Sequence, residues 1–536
     1  MNTPARLRHL NATTDYGAYR AAEGDRRSIF VVSADMIPPD VYGDGRYARE
    51  VHTPNLDSIR EDGVWFDSAF CNSPLCGPSR ASYLTGRYTY LMVNEERAHD
   101  GFPTELRRDD PIFPEYLRAE GYRTRHAGKC HVGTQKFMQA FGENDSPWNR
   151  WAPPLYDDDE YRAYLRDLGV KGFGLKREIR GLMPDRRTPG NSYGGWVEQP
   201  DGSEFPPEAT YPWFLARKAA RTVRLLAEQG ETEEPLYLQL DFFAPHQPFF
   251  IPSGFEERAA ELRKAVELPE SYRELRERDF QPTPGDPPVY HTYARNWGLY
   301  DPDTLRDYIV ANLLNIELVD RALGVFLDAL RSVGLYDSSL VVFLGDHGEM
   351  NGEKGLIDKG VYGHPRVVRV PLMIKMPEGQ HAGRAVEDPV CLLDLAPTVF
   401  EFAGIEPSAR LDGVSLLPAM AGEPVEREAP FLFEAGWHVT ANPAAAIVDE
   451  VPGHGLFLYT YNVTSPCDEL YRLDDARCRN LAEDEEWREV RGHMIRRMAE
   501  VLSSERRWRC YWHAFRLDKF EWLDIEGGDA QMFVPD

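Results

Sequence analysis

Four short apolar runs constrain this chain more than anything else in it: Ser28 to Ala34, Leu236 to Phe242, Leu340 to Leu344 and Pro371 to Ile374. They are rich in Val, Ile, Leu and Phe and do not alternate with polar residues. That is the pattern of strands buried on both faces, and so of a mostly parallel sheet. Helical patterns lie between them, at Thr53 to Asp62, Pro78 to Thr85 and Ile112 to Glu120. A long one from Pro302 to Val333 places Ile309, Leu313, Leu314, Leu318, Leu323 and Leu327 along one stripe. Strands alternating with helices predict a doubly wound α/β core. With 536 residues the chain exceeds one ordinary core. Its hydrophobic fraction of 42% gives the apolar surface a packed fold needs and excludes general disorder.

The rhythm breaks twice. From about Phe141 to Pro212 the chain is crowded with Pro, Gly, Asp and aromatic residues, among them Trp148, Trp151, Tyr156, Tyr161 and Trp196. This stretch reads as an insertion over the sheet, either shaping a substrate pocket or packing on its own aromatic residues. Its acidic run, Asp157 to Glu160, reads as a solvated helix start. After Gly413 the texture changes again. Residues 1–422 are expected to form the main catalytic domain, and residues 423–536 a smaller C-terminal α+β subdomain. The latter has a strand at Phe431 to Glu434, a polar helix from Glu485 to Ser503, and an aromatic-basic tail, Trp508 to Trp512, that packs back on the body.

The charge balance excludes one class of partner. With 61 basic and 87 acidic side chains the net charge is −26, which argues against a nucleic-acid backbone as ligand. An anionic substrate would need a locally positive pocket. No apolar stretch resembles a secretory leader or a membrane span, and seven scattered cysteines, an odd number, fit a reducing compartment. The expectation is a cytoplasmic protein with no membrane partner, its oligomeric state left open.

Chemistry concentrates at Cys76-Gly77-Pro78-Ser79-Arg80. A cysteine just before a proline-started helix sits at the positive helix end, with Arg80 one turn on. The arginine spacing of a cysteine phosphatase is absent, since Ser82 stands six residues after Cys76. Cys76 to Arg80, continued by Ala81 to Arg87, resembles the C-x-P-S-R…T-G-R signature of type I sulfatases. These belong to the alkaline phosphatase superfamily, as do the phosphonate monoester hydrolases. Further segments match in order: Thr53-Pro54-Asn55-Leu56-Asp57; Gly128-Lys129-Cys130-His131-Val132-Gly133, with Cys130 in place of the family's Trp; Pro245-His246-Gln247-Pro248; and Leu344 to Glu349 followed by Lys359.

The resemblance implies an alkaline-phosphatase-like fold and a formylglycine made from Cys76 by a separate maturation enzyme. The expected catalytic residues are Cys76, Arg80, Lys129, His131, His246 and Lys359. Asp35, Asp346 and His347, at the ends of two expected strands, would reach the carboxyl edge of the sheet, where open α/β folds bind ligands. With position 76 they form the expected site for a divalent metal. Hard oxygen ligands suit Ca²⁺, Mg²⁺ or Mn²⁺, with the imidazole favouring Mn²⁺ somewhat; Ca²⁺ is the leading expectation. Asp35 is followed by Met36, where many members carry a second aspartate. That departure bears on metal identity and substrate. His126 and His364 match no motif and are assigned to polar packing.

The implied function is sulfate ester hydrolysis on a small alcohol, phenol or sugar. A hydroxyl of the hydrated aldehyde attacks sulfur, assisted by Asp346. His246 protonates the leaving alcohol, and His131 deprotonates the second hydroxyl to expel sulfate. The alternative is a phosphonate monoester or phosphodiester hydrolase with the same site. A catalytically dead relative is disfavoured by intact Cys76, Arg80, Asp346 and Lys359.

Overall fold

The computed structural model describes residues 26–88, 106, 110, 112–141, 152–155, 157–230, 234–408, 410–427 and 429–523. All four apolar runs are strands of one seven-stranded sheet. In chain order its strands are β1 (Ile29–Asp35), β2 (Val64–Phe66), β3 (Arg123–Gly128), β4 (Leu236–Pro245), β5 (Leu340–Gly345), β6 (Leu372–Lys375) and β7 (Arg384–Val386). Across the sheet they run β7-β2-β6-β5-β1-β4-β3. β1 pairs in parallel with both β4 and β5, and β3 with β4. β6 alone runs against its two neighbours. Each residue of β1, β4 and β5 is buried, which is why these runs do not alternate. The strand order reverses at β1, with β5 on one side and β4 on the other. Three parallel strands therefore deliver their carboxyl ends to one spot.

Helices cover both faces. Pro302–Ser332, 31 residues long, packs on the sheet beside the helix Tyr211–Glu228, which also touches it. It also explains the Thr53 to Asp57 segment, whose place is structural. The helix Pro54–Asp62 has no cap from Thr53. Instead Asp320 of the long helix accepts the backbone N–H groups of Asn55 at 3.0 Å and Leu56 at 2.8 Å, and the Asn55 side-chain amide at 2.9 Å. Asp320→Ala strands these buried donors. It should lower stability by about 1–3 kcal/mol in denaturant melts while leaving turnover unchanged.

A second sheet, antiparallel, comprises Leu432–Trp437, Ala441–Val451, Gly455–Asn462 and Glu469–Arg472, with the helix Arg488–Ser504 against it. It is tied to the loops around the first sheet. The Glu434 N–H donates to Asn72, the Thr460 hydroxyl to Gly363 and the Asn442 amide to Val361. The aromatic-basic tail packs back, with Trp508 2% exposed and edge-on to Tyr88.

A buried ion cluster adds a pH-sensitive tie. Asp40 meets Arg366 and, at 2.7 Å, Arg46, while Arg366 also donates to the Ala476 carbonyl. Burial raises the Asp40 carboxyl, but Arg366 and then Arg46 outweigh it and hold it at about 2, below its ordinary 3.8. A depressed carboxyl gives stability that is complete above pH ~4 and lost as pH falls through ~2. The stability gap between wild type and Asp40→Asn should therefore shrink by about 2 kcal/mol between pH ~6 and pH ~2, read by denaturant melts at each pH.

The expected insertion has structure of its own. Asp158 caps the helix Asp159–Asp167 through the Tyr161 N–H, so the acidic run is a helix start. A hairpin of Gly174–Leu182 and Pro189–Glu198 follows, and Phe249–Pro252, from beyond β4, joins it as a third strand. The added layer thus reaches past Pro212 to Pro252. Tyr161 and Trp196 are buried in it, while Trp148, Trp151 and Tyr156 lie outside the described residues. Among the described residues no helix is long and apolar enough to cross a membrane.

Candidate active site

β1 ends in Asp35, and β5 leads directly into Asp346 and His347. The helix of the C-x-P-S-R motif, Cys76–Thr85, points its N-terminus at this edge. It begins at Cys76 itself, with Leu75 as the cap residue, two residues before the start expected from Pro78. Pro at the third helical position costs nothing, because the N–H it lacks belongs to the first turn, which has no intrahelical acceptor.

Donor atoms of Asp35, Cys76, Asp346 and His347 lie within 4.8 Å of one another, and all four side chains are wholly buried. The Cys76 sulfur is 3.1 Å from His347 Nε2 and 3.5 Å from Asp35 Oδ1. His347 Nδ1 donates to the Gly348 carbonyl at 2.9 Å, which leaves Nε2 as a lone pair in the neutral ring. That lone pair faces Asp35 at 3.4 Å and Asp346 at 3.8 Å. Three buried electron-rich atoms facing one another need a cation between them. Burial, then the Asp35 charge, pushes the Asp346 carboxyl up. Burial opposes protonation of His347, but Asp346 and Cys76 outweigh it and drive that ring well above its ordinary pKa. Two carboxylates and an imidazole therefore fit a divalent metal, which would satisfy all three without a proton.

Arg80, fully buried, ties the motif helix to both strands. Its Nε donates to Asp346 Oδ2 at 2.9 Å and its Nη1 to the Lys129 carbonyl at 3.0 Å; Nη2 lies 3.7 Å from Asp35 and makes no hydrogen bond among the described residues. Ser79 donates to the Asp346 carbonyl, so two adjacent motif residues fix one aspartate. The Met36 N–H also donates to Asp346, at 3.0 Å. Where many relatives carry a second carboxylate, this chain holds Met36 at φ 68 and contributes only a backbone donor.

The remaining expected residues come from two further strand ends. Lys129, just after β3, donates to Asp35, and His131 follows, buried and at φ 53. His246, just after β4, donates from Nδ1 to the Gln247 carbonyl, so Nε2 receives Lys359 Nζ. Burial disfavours the charge on Lys359, but Asp358 at 3.0 Å, then Cys76 and Asp35, outweigh it and hold the ammonium charged.

The motif reading missed Asp241, a buried carboxylate within the otherwise uncharged strand β4. It lies 3.5 Å from Arg80, and it accepts from Gln239 and from Ser33. His126, assigned to polar packing, packs edge-on against Phe137 and meets Asp241 at 2.8 Å, which links it to the support of Arg80. A lone acid in an apolar ten-residue run was the available signal. His364 holds the packing place expected of it, stacked edge-on near Tyr471. Asp358 was missed as well, and no pattern marked it.

A buried cation site with a side chain poised beside it, ringed by Arg80, Lys129 and Lys359, defines a hydrolase of tetrahedral anionic esters. The sulfatase family model matches residues 29–405, and that of the N-sulphoglucosamine sulphohydrolase C-terminal region matches residues 352–504. The chain belongs to the sulfatase family and is a sulfuric ester hydrolase with the alkaline-phosphatase-like fold. It is similar to a choline-sulfatase of Rhizobium meliloti, 27% identical over 483 residues, which cover 85% of this chain and 82% of that one. It is 25% identical over 412 residues to an N-acetylglucosamine-6-O-sulfatase of Bacteroides thetaiotaomicron, covering 70% and 67%. Among solved structures, the phosphonate monoester hydrolase of Agrobacterium radiobacter superposes with a TM-score of 0.68 at 23% identity, covering 89% of this chain and 95% of that one.

Proposed function

We propose that the chain hydrolyses sulfate esters with a formylglycine derived from Cys76, beside a divalent cation held by Asp35, Asp346 and His347. Ca²⁺ is the leading candidate for that ion. The observation that carries this reading is the Cys76 side chain set against three metal-type donors and within a ring of three buried cationic side chains. Bound there, the cation would supply positive charge beside the nucleophile and the ester oxygens.

The chain's own groups then divide the work. Asp346, held by Arg80, takes the proton of the attacking hydroxyl of the hydrated residue 76. That oxygen bonds to sulfur as the sulfur–alcohol bond breaks. Lys129, Lys359 and the unbonded Nη2 of Arg80 stabilise the charge spread over the non-bridging oxygens. His246 and Lys359, in contact, present the proton that the departing alcohol takes up. His131 accepts the proton of the second hydroxyl, the bond from carbon to the sulfate oxygen breaks, and the aldehyde returns. The substrate is an anionic sulfate ester, and the required partner is the maturation enzyme.

The test joins two measurements. Intact mass of active protein should fall short of the sequence mass by about 18 Da, the change from thiol to aldehyde. Exhaustive chelation should lower sulfate release by at least about a hundredfold, restored by adding a divalent cation, with Ca²⁺, Mn²⁺ and Mg²⁺ compared. Fully active protein with an unmodified Cys76 would overturn the mechanism. Faster hydrolysis of a nitrophenyl phenylphosphonate than of nitrophenyl sulfate would move the substrate to the alternative class.

A further inference from the structure

A pocket with about 540 Å³ of empty space, counting its open mouth, adjoins the anion site. The two share a wall. His246, which contacts Lys359, lines the pocket, and so does Phe243, whose ring stacks on His246 at 4.9 Å and lies 5.4 Å from the Lys129 ammonium. Six aromatic rings face the pocket: Tyr161, Phe173, Phe205, Tyr211, Phe243 and Phe250. Most of its wall comes from the layer that interrupts the α/β rhythm, so the anion site and this pocket are built by different parts of the chain.

The polar groups of the wall are mostly engaged elsewhere. Tyr161 donates to the Ala209 carbonyl, Tyr211 to Asp158 and Thr210 to the Pro207 carbonyl. The exception is Asn315 of the long helix. It lines the pocket, is 5% exposed, and its amide makes no hydrogen bond among the described residues. Facing the pocket, the amide offers both a donor and an acceptor to a ligand seated there.

We infer that this pocket receives the leaving group, and that it selects an uncharged aromatic alcohol bearing one hydrogen-bonding substituent, which Asn315 reads. The inference rests on the hydrolase reading above, because His246 can protonate only a leaving oxygen at this shared wall. Aromatic rings also attract quaternary ammonium groups. Here, however, no carboxylate lines the pocket among the described residues and the Lys129 ammonium already lies over Phe243, so a cationic leaving group meets repulsion. A sugar would find one amide for its several hydroxyls.

Primary alkyl sulfates separate the pocket from intrinsic leaving-group reactivity. The kcat/KM of the matured enzyme is measured for 2-phenylethyl sulfate, its ring-hydroxylated analogues, choline sulfate and glucose 6-sulfate, with 4-nitrophenyl sulfate alongside. The phenylethyl ester should exceed the choline and glucose esters by at least about tenfold. At least one hydroxylated ring should gain about fivefold more, and Asn315→Leu should abolish that gain alone. Phe173→Ala with Phe250→Ala should collapse the ratio of phenylethyl to choline ester. Equal or faster turnover of choline sulfate or glucose 6-sulfate by the wild type overturns the assignment, as does a hydroxyl gain that survives Asn315→Leu. Release of sulfate from none of these esters would instead remove the hydrolase reading beneath it.

Discussion

Cys76→Ala should fold and lose sulfate release by about 10⁴-fold or more, the scale seen when a covalent nucleophile is deleted. The loss is large because no other group in the site can take its place. The sulfur of Cys76 lies 3.1 Å from His347 Nε2 and 3.5 Å from Asp35 Oδ1, in space closed to bulk water. The cationic side chains there, Arg80, Lys129 and Lys359, offer no nucleophile, and in the proposed mechanism Asp346, His131 and His246 only carry protons. Alanine removes only a small buried atom, so melting should shift little. Cys76→Ser is the sharper companion. Its single hydroxyl can take up the sulfuryl group, but the same carbon carries no second hydroxyl to expel it. Incubation with substrate should leave a protein about 80 Da heavier, read by intact mass, with no steady turnover. Continuous turnover by the serine variant would contradict the aldehyde's role.

Arg80→Met should damage both stability and rate. Methionine keeps the apolar stem and removes the charge that lies 2.9 Å from Asp346, 3.5 Å from Asp241 and 3.7 Å from Asp35. Those three carboxylates are fully buried, so the loss of their shared counter-ion should cost about 3–5 kcal/mol. A bound divalent metal offsets the charge at Asp35 and Asp346 but not at Asp241. Added cation should therefore recover part of the melting temperature, while kcat stays down by about 10²–10³-fold because Nη2 no longer meets the transferring group. A variant with wild-type stability in the presence of chelator would show that Arg80 is not the counter-ion inferred from these distances.

The core was legible in the sequence itself, and the residues around Cys76 through their resemblance to the sulfatase motifs. Non-alternating strands announce burial on both faces, and Asp35, Asp346 and His347 stand out as polar residues closing such runs. The site's charge balance was less legible. Asp241 offered a signal, as the one acid in an apolar strand, but His126 acquires meaning only from lying 2.8 Å from it across two paired strands. Asp358 contacts Lys359 as any neighbour might, and its effect on that ammonium depends on both being buried.

Local chemistry and periodicity, which depend on neighbours in the chain, therefore sufficed for the parallel core and for the motif helix to within two residues, while Lys129 and Lys359 were marked only by resemblance to the sulfatase motifs. Local signals could not say that Phe249–Pro252 would join the hairpin Gly174–Leu182 and Pro189–Glu198, or that Asn315, from a helix more than a hundred residues further on, would face the same pocket. Those are contacts between segments far apart in sequence. They form because burying the aromatic layer against the sheet leaves few arrangements that fill space, and nothing in the order of residues along one segment encodes which partner fills it.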